Sequence, residues 1–98
     1  MSEFNDIIKD KKPTLVDFYA TWCGPCKMMH PILEQLKEKV GDSVTIVKID
    51  VDKNQELAQS YHVRSVPTLI IFGDGEMKWR AAGVHTADDL EAKLKEYM

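Results

Sequence analysis

Two cysteines separated by two residues are the side chains in this sequence best suited to chemistry. Cys23 and Cys26 are the only cysteines in the chain, and they lie in the segment TWCGPCKMMHP. A pair at this spacing can act as a redox couple, supply half of a zinc site or form a structural disulfide. The residues around the pair help to decide among these three possibilities.

Zinc binding and a purely structural disulfide are the two alternatives to redox chemistry. A zinc site needs four ligands, but the sequence has neither a second cysteine pair nor two histidines at ligand spacing. His30, His62 and His85 are isolated, and we interpret His30 as a solvated helix residue. A disulfide across so short a loop would stabilise the fold little. We therefore favour dithiol–disulfide exchange.

The elements around the cysteines are predicted to place them at the start of a helix. TLVDFYA has the composition of a strand, and apolar residues recur at helical spacing over 23–40. Unpaired backbone N–H groups and partial positive charge at a helix N-terminus favour a thiolate over a thiol. We therefore predict that Cys23 is the nucleophile and that Cys26, about one turn further on, is the resolving thiol.

The remaining segments predict an α/β fold. SVTIVKIDV is typical of a strand covered on both faces, which implies a parallel sheet. A short helix is predicted over 54–61, an antiparallel hairpin around 73–75, and a final helix that opens at Thr86. With a short helix near the N-terminus, this order predicts a four-stranded mixed sheet with helices on both faces.

Length and charge limit the classes of function. The 98 residues fit a single domain over 1–98. A net charge of -3, with 13 basic residues among 16 acidic ones, provides no basic surface for nucleic acid. The longest apolar stretch, Leu69–Phe72, is far shorter than the roughly 20 residues that span a bilayer, and the N-terminal segment lacks a secretory signal pattern. We expect a cytoplasmic monomer without nucleic-acid or membrane partners.

The segment WCGPCK, between a strand and a helix of a βαβ unit, resembles the thioredoxin family. TLVDFYATWCGPCKMMHPIL, VKIDVDKN and YHVRSVPTLIIFGDGE are similar to family segments in the family's order. The resemblance implies a thioredoxin fold and a thiol–disulfide oxidoreductase that acts as a protein-disulfide reductase. Only MSE precedes Phe4, where thioredoxins usually have another strand, so we expect the family's first strand to be missing.

The resemblance also implies roles for residues at the cysteines. Cys23 matches the nucleophile and Cys26 the resolving cysteine, while Asp17 matches a buried acid that moves a proton to or from the resolving thiol. Lys48 matches a lysine near that acid. Independently of the family, the position of Asp17 in the middle of a central strand predicts burial, which should raise its pKa.

A substrate groove is implied around the cysteines. The residues assigned to it are Trp22, Gly24, Pro25, Val66, Pro67 and Gly83. Pro67 matches the family's cis-proline, and the backbone of Val66 is expected to bind an extended substrate segment by strand addition. Disulfide-bearing proteins would be the substrates. No cofactor is expected, and electrons would come from a separate thioredoxin reductase, since the sequence has no glycine-rich dinucleotide fingerprint.

Two alternative functions stay open at this point. An oxidase or isomerase of an oxidising compartment would differ mainly in reduction potential, although Gly24-Pro25 between the cysteines resembles the reducing relatives. A non-catalytic adaptor that uses the same groove is the alternative from another class of protein.

Overall fold

The structure, a computed structural model, describes the backbone of residues 2–98 and the side chains of residues 3–98. Its elements, in chain order, are α1 (Ser2–Ile8), β1 (Thr14–Tyr19), α2 (Gly24–Val40), a 3₁₀ turn (Gly41–Ser43), β2 (Thr45–Asp50), α3 (Gln55–Ser60), β3 (Thr68–Gly73), β4 (Glu76–Ala82) and α4 (Ala87–Lys95). This order agrees with the predicted one. None of the described helices has the length and apolarity needed to span a bilayer.

The four strands form one mixed sheet in the order β2-β1-β3-β4. β1 and β2 run parallel, with Asp17 opposite Lys48 in the register. β3 is antiparallel to both β1 and β4. β2 is therefore an edge strand of the sheet formed by residues 2–98, and the predicted four-stranded mixed sheet is confirmed.

Helices cover both faces of the sheet because β1 and β3 alternate their side chains between two apolar clusters. The cluster under α2 and α4 contains Leu15, Met29, Leu33, Leu36, Val40, Val44, Leu69, Ile71, Ala87, Leu90 and Leu94. The cluster under α1 and α3 contains Phe4, Ile8, Val16, Phe18, Leu57, Ile70 and Phe72. The predicted placement of helices on both faces is confirmed.

β2 is covered less completely than its composition predicts. Ile46 packs at the margin of the cluster under α2 and α4, and Val47 and Ile49 pack at the margin of the other cluster. All three side chains are half-buried, not fully buried. The strand has apolar neighbours on both faces, but its position at the sheet edge leaves one side of each side chain open.

The hairpin turn is shorter than predicted. β3 extends to Gly73, which pairs with Glu76 at the start of β4. Only Asp74 and Gly75 remain between the strands, and their φ angles are 53° and 81°. Positive φ at both central residues is the requirement of a type I′ turn, which explains the Asp-Gly sequence at this point.

Candidate active site

The two cysteines lie at the point where β1 leads into α2. Cys23 is the N-cap of α2, and Cys26 is in its first turn. A disulfide joins their sulfur atoms, with the Cα atoms 5.3 Å apart. An N-cap side chain accepts a hydrogen bond from the second or third residue of the helix, and Pro25, the second residue, has no N–H to donate. The backbone N–H of Cys26 therefore donates to Sγ of Cys23, at 3.1 Å.

This geometry distinguishes the two sulfur atoms. Sγ of Cys23 receives a backbone N–H and faces the positive end of the helix, and both effects stabilise negative charge on sulfur. Cys23 is 5% exposed, whereas Cys26 is 0% exposed. Cys23 is therefore the sulfur that combines access with stabilisation of the anion.

Asp17 is fully buried in β1, on the same face of the sheet as Leu15, which packs under α2. Neither of its carboxylate oxygens has a hydrogen-bond partner among the described residues. Burial raises the pKa of Asp17 from 3.8 to about 6, and the positive charge of Lys48 opposes this rise by a smaller amount. The rise agrees with the expectation from the sequence.

Lys48 lies beside Asp17 across the β1–β2 pair. Its side chain is exposed, and no direct ion pair joins it to Asp17 within the described part of the chain. Lys48 therefore acts on Asp17 through its electric field and not through a contact.

Three groove residues far along the chain are joined to one another, and one of them, Val66, contacts Cys23. The carbonyl oxygen of Val66 lies 3.5 Å from Sγ of Cys23. The Val66–Pro67 peptide bond is cis. The backbone N–H of Gly83 donates to the carbonyl oxygen of Pro67 at 2.9 Å. This bond joins the end of β4 to the loop that faces Cys23.

Trp22 stands at the surface beside the cysteines. Its side chain is 70% exposed, and its indole N–H donates to Oδ2 of Asp52 at 2.9 Å. Asp52 is held in place by Asp50, whose Oδ1 accepts the backbone N–H groups of Asp52 and Lys53. The indole is thus fixed in orientation while its face stays open to solvent. Gly24 and Pro25, in the first turn of α2, are exposed next to it.

A groove of about 290 Å³ lies against Trp22. It is lined by Trp22, Val51, Val63, Arg64, Ser65 and Val66. Four of these residues were not predicted from the sequence, and neither was Asp52. A signal was available for Val51 and Asp52, since they follow β2 directly, and the carboxyl ends of the parallel strands β1 and β2 lie at the same edge of the sheet.

His30 differs from its interpretation as a solvated helix residue. Its ring packs edge-on against Tyr19, with ring centroids 5.4 Å apart, and its Nδ1 is buried. The interpretation is wrong for the buried side of the ring: His30 is half-buried because the last residue of β1 covers this side of α2. Among residues 3–98, no group of three or more His, Cys, Asp or Glu side chains is arranged to hold a metal ion.

A cysteine pair at a helix N-terminus, joined by a disulfide and facing a groove, defines the site of a thiol–disulfide redox protein. The family model named Thioredoxin matches residues 1–96. Thioredoxin from Alicyclobacillus acidocaldarius is 41% identical over 97 residues, which cover 99% of this chain and 92% of the relative. The solved structure of a mutant thioredoxin from Halobacterium salinarum superposes with a TM-score of 0.90 at 43% identity, covering 99% of this chain and 84% of that one. The chain belongs to the thioredoxin family.

Relatives in this family differ in length. Thioredoxin Y, chloroplastic, from Oryza sativa is 47% identical over 95 residues, which cover 96% of this chain. Those residues cover 56% of the rice protein, so the chain spans little more than half of that relative.

Proposed function

We propose that this chain reduces disulfide bonds in other proteins by dithiol–disulfide exchange. The observation that carries the proposal is the hydrogen bond from the Cys26 N–H to Sγ of Cys23 at the start of α2. It gives one sulfur the environment of a nucleophile and keeps the second within bonding distance. Family membership supports the same chemistry.

The reaction has two steps. The thiolate of Cys23 attacks one sulfur of the substrate disulfide, which forms a mixed disulfide and releases the other substrate sulfur as a thiolate. Cys26 then loses its proton and attacks Sγ of Cys23, which releases the second substrate sulfur and forms the Cys23–Cys26 disulfide. The substrate gains two electrons and, with two protons, becomes two thiols.

Asp17 is the group that we assign to the proton of Cys26. With a pKa of about 6 it is mostly ionised at neutral pH, yet it is a stronger base than an ordinary aspartate. Cys26 is fully buried on the side of α2 that packs over the sheet face of Asp17. The positive charge of Lys48 limits the rise in the pKa of Asp17, so the protonated carboxyl stays acidic enough to return the proton.

Substrates would bind over the exposed surface next to Cys23. Trp22, Gly24 and Pro25 form one side of this surface, and Val66, Pro67 and Gly83 form the other. The carbonyl group of Val66 is positioned to accept a hydrogen bond from an extended substrate segment. A surface this small favours weak binding of many proteins over tight binding of one.

Regeneration requires a second protein. The sequence has no glycine-rich dinucleotide fingerprint, so we assign the supply of electrons to a separate thioredoxin reductase. We further infer that residues 1–98 act as a single monomeric thioredoxin domain without a cofactor. A cytoplasmic location is part of the proposal, and the chloroplastic relative shows that the family also serves another compartment.

The test is single-turnover reduction of insulin disulfides by the reduced chain. Wild type should reduce insulin, Cys23→Ser should be inactive, and Cys26→Ser should accumulate a mixed disulfide with the substrate. In Cys26→Ser, Cys23 should also react with iodoacetamide about tenfold faster than free cysteine at neutral pH, as expected for a sulfur that is largely anionic there. Activity that survives in Cys23→Ser, or reactivity equal to that of free cysteine, would contradict the proposal.

The direction of the reaction is tested by equilibrium with a glutathione buffer. A potential near the roughly -270 mV of reducing thioredoxins supports the reductase, and one near the roughly -120 mV of strong oxidants would assign the oxidase instead.

A further inference from the structure

The groove beside Cys23 carries a single charge. Of the described residues that line it, Arg64 alone is charged, and the others are apolar, aromatic or serine. Arg64 is exposed, and it forms no ion pair with any acidic side chain in residues 3–98. Its guanidinium is therefore available to a ligand.

Two acidic residues, Asp50 and Asp52, flank Val51 in the chain, and both are engaged in hydrogen bonds. Asp50 is buried and accepts two backbone N–H groups. Asp52 accepts the indole N–H of Trp22 through Oδ2 and is not one of the residues that line the groove. The net charge of -3 is spread over the whole chain. Charges separated by more than about 8 Å are largely screened at physiological ionic strength. Asp52 keeps its negative charge because the indole N–H is a neutral donor, and Arg64 is the charged side chain that lines the groove itself.

Arg64 is also close in the chain to the residue that contacts the reacting sulfur. Val66, two residues later, places its carbonyl oxygen 3.5 Å from Sγ of Cys23. Two residues of chain span at most about 7 Å, so a substrate segment that runs beside 64–66 would place the residue next to Arg64 no more than about two positions from the one beside Val66.

We propose that Arg64 selects substrate proteins that carry a carboxylate within two residues of the cysteine that Cys23 attacks. The apolar wall formed by Trp22, Val51 and Val63 takes the neighbouring apolar side chain of the same segment, and the guanidinium binds the carboxylate. This inference rests on the proposed reductase function and specifies its substrate class.

The experiment uses three short peptides, each with a single cysteine. The peptides differ only at the two positions before and the two positions after that cysteine. These positions hold Asp, Asn or Lys, and the cysteine carries a neutral 2-pyridyl disulfide. Reduction by the pre-reduced chain releases pyridinethione and the peptide thiol and leaves the Cys23–Cys26 disulfide, so no external reductant is needed. The quantity measured is the second-order rate constant, at low salt and at high salt.

Wild type should reduce the Asp peptide about fivefold faster than the Lys peptide at low salt. A difference of this size is expected because Arg64 forms a partly exposed ion pair with the Asp peptide and repels the Lys peptide. High salt should reduce this ratio towards one. Arg64→Met should abolish the preference, and Arg64→Glu should reverse it. The matched control is Lys53→Met, which removes the same charge at a residue that lines a different cleft and should keep the wild-type ratio.

Equal rate constants for the three peptides in wild type would overturn this inference and leave the reductase function intact. A ratio unchanged in Arg64→Met and Arg64→Glu, or lost equally in Lys53→Met, would overturn it as well. Failure of wild type to reduce any of the peptides or insulin would overturn the reductase function and this inference together.

Discussion

The carboxyl group of Asp17 is placed where ionisation is unfavourable. It is fully buried, its oxygens have no polar partner in the described part of the chain, and the charge of Lys48 compensates only in part. The proton-transfer role that we assign to it requires this environment. Its consequence for stability has a definite sign.

Replacement of Asp17 by Asn should make the oxidised chain less sensitive to pH. The carboxyl binds its proton more tightly in the folded chain (pKa about 6) than in the unfolded chain (3.8). The stabilising contribution of the protonated form is therefore fully present below about pH 3.8 and is lost as the pH rises through 6. At about 1.4 kcal/mol for each tenfold change in the ionisation constant, the loss is about 3 kcal/mol.

Urea unfolding between about pH 4 and pH 8 measures this loss. Relative to wild type, the free energy of unfolding of Asp17→Asn should rise by about 2.5 kcal/mol over that range, whatever its absolute value, because part of the loss occurs below pH 4. Asp42→Asn, at an exposed carboxyl in the 3₁₀ turn, is the control. An equal pH dependence of stability in wild type and Asp17→Asn would contradict the assignment.

Residue types and spacing were sufficient to identify some of the site. Cys23, Cys26 and Asp17 could be predicted because a cysteine pair has few uses and because a charged residue inside a strand of apolar neighbours is unusual. Asp52 and Arg64 were not predicted, since they are ordinary polar residues in turns and loops, and only Asp52 had a signal in the sequence, its position directly after β2. Their significance comes only from the fold, which brings those turns to Trp22 and Val66.

At the scale of elements, the loop that carries Val66 is anchored by β4. The guanidinium of Arg80 donates to the carbonyl oxygens of Tyr61 and His62, the latter at 2.8 Å. These carbonyl groups lie at the end of α3, where a helix leaves acceptors unpaired and favours positive charge. His62 has a φ of 55°, the left-handed conformation that ends the helix and turns the chain towards the groove.

Arg80→Met should weaken the attachment of this loop to β4 and leave the geometry of the cysteine pair unchanged. Two charge-assisted hydrogen bonds at an exposed site should contribute about 1–2 kcal/mol together, so the midpoint of urea unfolding should fall. The amide of Val63, which donates to Ala58 at 2.9 Å, should exchange with deuterium faster than in wild type.

Lys78→Met, on the same strand, is the control for loss of a β4 cation. Its Nζ contacts only the nearby Glu76 among the acidic groups described, so Val63 should exchange as in wild type. Equal protection of Val63 in Arg80→Met and wild type would show that Arg80 does not hold the loop. The segment MKWRAA gives no sign of this role, because the partner carbonyls lie 18 and 19 residues away in the sequence.

For the molecule as a whole, the order of strands leaves the outer side of β2 unpaired within residues 2–98. The N–H of Thr45 donates to Pro13 and that of Val51 to Tyr19, at 3.0 and 2.9 Å. In a strand, alternate residues direct their backbone groups to opposite sides. The N–H groups of Ile46 and Lys48 therefore point away from the sheet.

Hydrogen exchange should show this alternation directly. The amides of Ile46 and Lys48 should exchange rapidly, and those of Val47 and Ile49 should be protected by β1. The amides of β1 serve as the internal control, since that strand is paired on both sides. Protection of Ile46 and Lys48 would contradict the assigned edge and indicate that another strand pairs there.

The topology of the fold could be predicted from the sequence more accurately than the burial of its strands. Strands joined by helices and a terminal hairpin allow few topologies, so the mixed sheet with helices on both faces follows from the order of elements. The half-burial of Ile46, Val47 and Ile49 could not be predicted in this way. Composition reports that a strand is apolar, but not whether it lies at the centre or at the edge of a sheet.

The unequal exposure of Cys23 and Cys26 has a consequence for oxidative damage. Peroxide can reach Cys23, whereas Cys26 is enclosed. A sulfenic acid formed on Cys23 has a neighbouring thiol with which to condense, giving water and the reversible disulfide before sulfinic or sulfonic acid can accumulate. The arrangement that makes the pair reactive therefore also protects it from irreversible inactivation.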